Sequence, residues 1–363
     1  MDGSKYRLIG FIALVALVLP PMTSATATQT VAPRPLVEPH RDLSAWIANW
    51  DGGASFRDVI AHASRFGYVS PYWYSTTGDP GKMGLNPPAT TARLRASQTA
   101  ALHAHGIKVV PTVGSSWGPA KAQTVFDDPA LSAEHVSALV GLATKNDYDG
   151  IGLNYEGFRW PATIAQTARI RSGFDAFVAN LCDDLHQAGK TCVVTLGPVT
   201  ADGPWNVLDY RAIGQHADVV RLMCYGLHGP WGLPGAVSTA AWTERVLRYA
   251  VARILPSKIG LAVPTYGYEW PAPVRGDGSM TWRQTQQLIR RLHLDVHYSQ
   301  SAGEPYVHWR SHGLLHTVWF ENARSLAPKV ALANRYHVGS VGFWILGHED
   351  PGIWNVIQRL HIS

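Results

Sequence analysis

In a chain of 363 residues, the densest chemical signal lies in the run Asp149-Gly150-Ile151-Gly152-Leu153-Asn154-Tyr155-Glu156. Small or polar residues alternate with apolar ones, the period of a strand whose successive side chains point to opposite faces. Gly152, Asn154 and Glu156 then share one face, with Glu156 nearest the C-terminal end. A carboxyl group there, among apolar neighbours, is partly desolvated and inclined to hold its proton. Such a group can deliver that proton to a leaving oxygen, which is general-acid chemistry. The position equally suits a structural glutamate salt-bridged to a neighbouring loop.

Aromatic residues supply the second signal. The 14 tryptophans offer flat apolar faces with a polar edge, suited to stacking on sugar rings as well as to filling cores. Trp73, Trp117, Trp231 and Trp270 fall at strand ends or in the loops beyond them, where either role is open. Metal chemistry has little support: the 16 histidines form no H-E-x-x-H, and the cysteine spacing supplies no zinc ligand set. No cofactor is implied.

The elements that must position Glu156 follow from periodicity. Short runs rich in Val, Ile and aromatics predict eight strands, near 45–50, 67–74, 108–113, 150–155, 191–196, 219–225, 258–263 and 340–344. Helical segments are expected near 55–66, 91–105, 132–145, 162–188, 204–215, 238–255 and 325–336. Gly106 and Gly189 stand where left-handed caps would end two of them. Eight strands joined by helical crossovers predict an α/β fold, the (β/α)8 TIM barrel, whose chemistry sits at the C-terminal ends of the strands. The alternative, a doubly wound dinucleotide sheet, lacks G-x-G-x-x-G after its first strand. Residues 266–320 are too many for a loop and read as a small α+β insertion after the seventh strand.

Composition bounds the rest. With 46% hydrophobic and 16% charged residues the chain has a sizeable core, and a net charge of +5 spread singly leaves no basic stripe for nucleic acid. Lys5 and Arg7 precede the apolar run Leu8 to Leu19, too short for the ~20 residues of a membrane span. Residues 1–27 therefore read as a secretory signal peptide, 28–40 as a proline-stiffened linker and 41–363 as the barrel, extracellular and without stable membrane insertion. Cys182 and Cys192 lie at similar depth on adjoining elements, so a bridge or two separately buried thiols both fit.

Four motifs in order resemble glycoside hydrolase family 18, the chitinase-type barrels. The run ending in Glu156 resembles D-G-x-D-x-D-x-E, whose last residue is the acid; Leu222-Met223-Cys224-Tyr225-Gly226 resembles M-x-Y-D. Lys258 to Trp270 resembles K-x-x-x-G-x-P-x-Y-G-Y-x-W, and Gly342-Phe343-Trp344 opens a match to the strand-8 motif. The wording of the last two is closest to the spore-germination and cortex-lytic branch. The resemblance, from about Trp46 to Trp354, implies cleavage beside N-acetylglucosamine in a polysaccharide, with the sugar's own 2-acetamido oxygen as nucleophile. It implies Glu156 as acid, Tyr225 and Asn154 on the acetamido group and Trp344 under the sugar, with Met223 and Tyr266 in the glycan-binding set.

Three aspartates of the pattern are missing, replaced by Gly152, Asn154 and Gly226. A neutral Asn154 accepts a weaker hydrogen bond than a carboxylate would, so slow turnover and an acidic pH optimum are expected. A lectin-like barrel that kept the groove and lost the reaction is the alternative. Chitin, protein-linked N-glycans and peptidoglycan all present N-acetylglucosamine, and the branch resemblance favours bacterial wall glycan.

Overall fold

The computed structural model describes residues 42–85, 91–115, 117–271 and 278–360; the expected leader and the expected linker both lie outside them. Eight parallel strands form a ring: β1 (Asp42–Ile47), β2 (Phe66–Pro71), β3 (Lys108–Val109 and Thr112–Ser115), β4 (Gly150–Tyr155), β5 (Thr191–Leu196), β6 (Val219–Met223), β7 (Ile259–Pro264) and β8 (Ser340–Trp344). Each pairs with the next, and Ser340 of β8 pairs with Asp42 of β1. The break in β3 falls at Pro111, which has no N–H to give. Its first piece pairs with β2 and its second with β4, so the ring still closes.

Expected and observed bounds agree for the fourth, fifth and eighth strands. The first strand starts earlier than expected and stops at Ile47, which leaves Trp50 in the loop above it. Helix Tyr210–His216 starts later than expected because the Asp209 side chain caps it, accepting from the N–H groups of Arg211 and Ala212. An unanticipated helix, Pro119–Asp127, follows β3 with proline in its first turn, where the missing N–H costs nothing. Gly106 and Gly189 take φ of +72° and +67° after their helices, as expected of caps. Cys182 and Cys192 form a disulfide, while Cys224 is a buried thiol.

One charge lies inside the ring. Arg221 of β6 is 1% exposed and reaches Ser70 of β2, its Nη2 donating to Oγ at 3.0 Å. Its guanidinium carbon lies 4.2 Å from the Trp46 ring centroid and 5.1 Å from that of Tyr68. Cation–π attraction in a desolvated setting, about 2 kcal/mol, offsets part of the burial cost.

After β7 the chain leaves the ring to build an antiparallel sheet from Gly267–Trp270, Ser279–Met280, His297–Ser299, Glu304–Ser311 and Leu314–Phe320, with helix Trp282–Leu292 beside it. This is the α+β insertion, with a small core of Leu288, Val307, Val318 and Phe320. Buried charges fasten it to the barrel. Lys329, on helix Ala323–Arg335, pairs with Glu321 and lies 3.8 Å from Glu304, whose carboxylate accepts from the N–H groups of Val237 and Ser238.

Candidate active site

Strand alternation decides which side chains of β4 reach the barrel mouth. Tyr155 points outward, where its hydroxyl donates to His135 Nε2 at 2.6 Å. His135 Nδ1–H donates in turn to Pro80 O at 2.8 Å, and burial lowers the imidazole's pKa to about 4, so this pair works as a neutral anchor. Two residues past Glu156, fully buried Phe158 packs on Phe126 and Phe174, with centroids 5.8 and 4.9 Å away. With Tyr155 and Phe158 pinned, Asn154 and Glu156 are aimed into the mouth.

There they border a cavity of about 720 Å³ lined by Tyr72, Arg159, Met223, Tyr225, Tyr266, Tyr268 and Trp344, with Trp160 and Trp231 at its edge. A second cavity of equal volume opens at the other end of the ring, beside Lys108, Lys190 and Asp218, where barrel conservation and chemistry normally serve stability. In the active-site cavity Asn154 Nδ2 donates to Glu156 Oε1 at 3.2 Å. Asn154 Oδ1 is buried and has no hydrogen-bond partner among the described residues. Burial holds the Glu156 carboxyl above the usual carboxylate range, opposed by the charge of Arg159 and the Asn154 bond. Burial likewise pushes the Tyr225 hydroxyl up, aided by Glu156, so it remains a donor.

A raised pKa keeps the acid form populated at a pH where a solvated glutamate has ionised, and that form is lost as pH rises through the raised value. Turnover is therefore expected to be greatest on the acidic side of neutrality and to fall towards alkaline pH. A kcat profile with its maximum above neutral pH would contradict this.

Of the residues expected at the site, Glu156, Asn154, Tyr225, Met223, Tyr266, Trp231 and Trp344 meet in this cavity. Trp73, Trp117 and Trp270 do not line it. The chain turns after Pro71, so Tyr72 faces the cavity and Trp73 packs outward against Tyr148, 5.8 Å away. A Cβ at Gly114 would collide with the Tyr72 hydroxyl, so a glycine of β3 makes the room. Trp117 donates through Nε1 to Thr77 O at 2.6 Å and packs at a tilt against His135, with ring centroids 4.8 Å apart. Trp270 is buried beneath the loop that carries Trp231, donating to Gly229 O and Gly232 O, both at 3.1 Å. Tyr72, Arg159, Trp160 and Tyr268 also line the cavity, and the sequence reading did not name them. Tyr268 had a signal in its place two residues beyond Tyr266, and the two rings meet edge-on at 5.2 Å.

A parallel eight-stranded barrel with a protonatable carboxyl and a rank of aromatics at its C-terminal mouth defines a glycosidase of the α/β-barrel class. Residues 46–349 match the profile of Glycosyl hydrolases family 18, and the chain belongs to that family. An uncharacterized glycosylase, YvbX, of Bacillus subtilis (strain 168) is 28% identical over 249 residues, covering 66% of this chain and 69% of the relative. The cortical fragment-lytic enzyme of the same organism is 29% identical over 243 residues, 64% of this chain and 54% of the relative, so the chain spans about half of that enzyme. A chitinase from Chromobacterium violaceum ATCC 12472 superposes with a TM-score of 0.77 at 28% identity, covering 88% of this chain and 98% of the chitinase.

Proposed function

We propose that this glycosidase is exported and cleaves β-linked N-acetylglucosamine-containing glycan, with bacterial wall peptidoglycan favoured over chitin, by a substrate-assisted retaining mechanism. One observation carries the reading: a half-buried acid stands beside an acceptor, Asn154 Oδ1, that is buried and has no hydrogen-bond partner among the described residues. An acetamido N–H donating to that oxygen would satisfy it, and the Tyr225 hydroxyl can hold the acetamido carbonyl against the anomeric carbon. Glu156 gives its proton to the glycosidic oxygen as the C–O bond breaks, and the acetamido oxygen bonds to the anomeric carbon to form an oxazolinium. Glu156, now ionised, takes a proton from the water that reopens the ring. No second carboxylate is needed, and among the described residues none lines the cavity. The attached nucleophile avoids the entropy of recruiting a separate one.

Export is supported by the apolar run after Lys5 and Arg7 and by the disulfide, which belongs to oxidising compartments. No helix among the described residues is long and apolar enough to cross a membrane. The similarity to a cortical fragment-lytic enzyme supports a wall glycan. The missing aspartates favour the lectin-like reading, which predicts binding without product. Incubation with purified peptidoglycan and with chitin oligomers, followed by mass spectrometry of the new reducing ends, separates the two. A thiazoline analogue of the oxazolinium should inhibit competitively. Tyr225→Phe should lower kcat about a hundredfold, as loss of one preorganised donor does; an unchanged kcat would remove Tyr225 from the mechanism.

A further inference from the structure

The active-site cavity is mostly aromatic and neutral, and among the described residues only Glu156 and Arg159 bring charge to it. When Glu156 carries the proton it must deliver, Arg159 is left as a single uncompensated cation. A neutral polymer gives that cation nothing to pair with. An acidic one does.

The position of Arg159 fits a reader of ligand charge. Its N–H donates to Glu156 O at 3.2 Å in the turn that leaves β4, and adjoining Phe158 fixes that turn in the core. The guanidinium lies over Gly197, in the space that a Cβ there would occupy. Beside it the Trp160 ring, 73% exposed, has its centroid 5.9 Å from the guanidinium carbon. Arg159 acts on Glu156 through space, whereas the hydrogen bond to that carboxyl comes from Asn154. The fork of Arg159 thus remains available to a carboxylate, the group whose geometry it matches. Trp160 adds a flat face on which a sugar ring can stack.

We propose that Arg159 pairs with a carboxylate carried by the glycan, so that the site selects an acidic N-acetylglucosamine polymer over a neutral one. The proposal deepens the hydrolase reading and rests on it. In bacterial wall glycan every second sugar bears a lactyl ether whose carboxyl group is free where no peptide stem is attached, and each attached stem carries carboxylates of its own; chitin has none.

The test uses wall-glycan oligosaccharides stripped of peptide, compared with the same oligosaccharides methyl-esterified. The two forms match in shape and differ in charge. Calorimetry at low salt should show the wild-type protein binding the acid form about tenfold to a hundredfold more tightly, the range for a charge-assisted pair. Arg159→Gln should bring the two affinities together by weakening the acid form, and Arg159→Lys should restore part of the difference. Added salt should shrink the preference. Equal wild-type affinity for the two forms would overturn the proposal. So would an equal loss on both forms in Arg159→Gln with a displaced pH–rate profile, which would assign Arg159 to tuning Glu156. Mass spectrometry of the same mixtures keeps the two readings apart: no product from either form, with the affinity difference intact, sinks the hydrolase and leaves the charge-reading site standing.

Discussion

Glu156→Gln is expected to lower kcat by about a hundredfold to ten-thousandfold while oligosaccharide affinity stays close to wild type. The magnitude is that of removing a positioned general acid. Glutamine keeps the volume of the side chain and an Oε1 that can still accept from Asn154 Nδ2, so the cavity wall is preserved. What is lost is the transferable proton, and with it the charge that burial holds in its neutral form. Among the described residues no other carboxyl lines the cavity to take over. The measurement is paired turnover and calorimetry on N-acetylglucosamine oligomers. Turnover that survives the substitution would place the acid elsewhere, and a wild-type protein that binds without product would make the lectin-like reading the better one.

Lys329→Met is expected to destabilise the protein by about 3–5 kcal/mol at neutral pH, the cost of leaving buried charge without its partner. Lys329 and Glu304 are 1% and 0% exposed, and Glu321 is almost as deeply buried. Glu304 already sits above its ordinary range, through burial first and the nearness of Glu321 second, with Lys329 opposing both. Without the ammonium, Glu304 must hold its proton in the folded state more strongly still. A carboxyl whose folded pKa exceeds its unfolded one contributes stability at low pH that disappears as pH rises through the folded value. The deficit in Lys329→Met should therefore be smaller in acid and grow towards alkaline pH, as read from urea midpoints across that range. A deficit independent of pH would mean that lost packing, not charge, is responsible. Since Glu304 also accepts from Val237 and Ser238 beyond β6, the substitution should loosen the insertion that supplies Tyr268 to the cavity.

The barrel and the placing of Glu156 were legible because both rest on local rules. A two-residue period identifies which face of Gly150–Tyr155 carries Asn154 and which carries Tyr155, and Glu156 continues that face whatever the rest of the chain does. The rule failed at Tyr72 and Trp73, because the chain turns after Pro71 and restarts at Tyr74, and a turn has no period to read. Arg159 was missed for a related reason. Its role depends on lying against Gly197, 38 residues away, and on the neutrality of the cavity's other walls.

Trp270 shows the limit from the other side. Its residue type suits a sugar platform, yet its indole N–H is used by Gly229 and Gly232, and its ring holds up the loop from which Trp231, 74% exposed, meets Tyr268 edge-on at 5.9 Å. Strand count, strand direction and the strand face that Glu156 continues are written in residue order, since neighbours along the chain impose them through sterics and alternation. Which aromatic faces a ligand and which carboxylates share the buried Lys329 depend on elements that only the folded chain brings together. Those are settled by packing, where many weak contacts must be satisfied together and no short segment contains the answer.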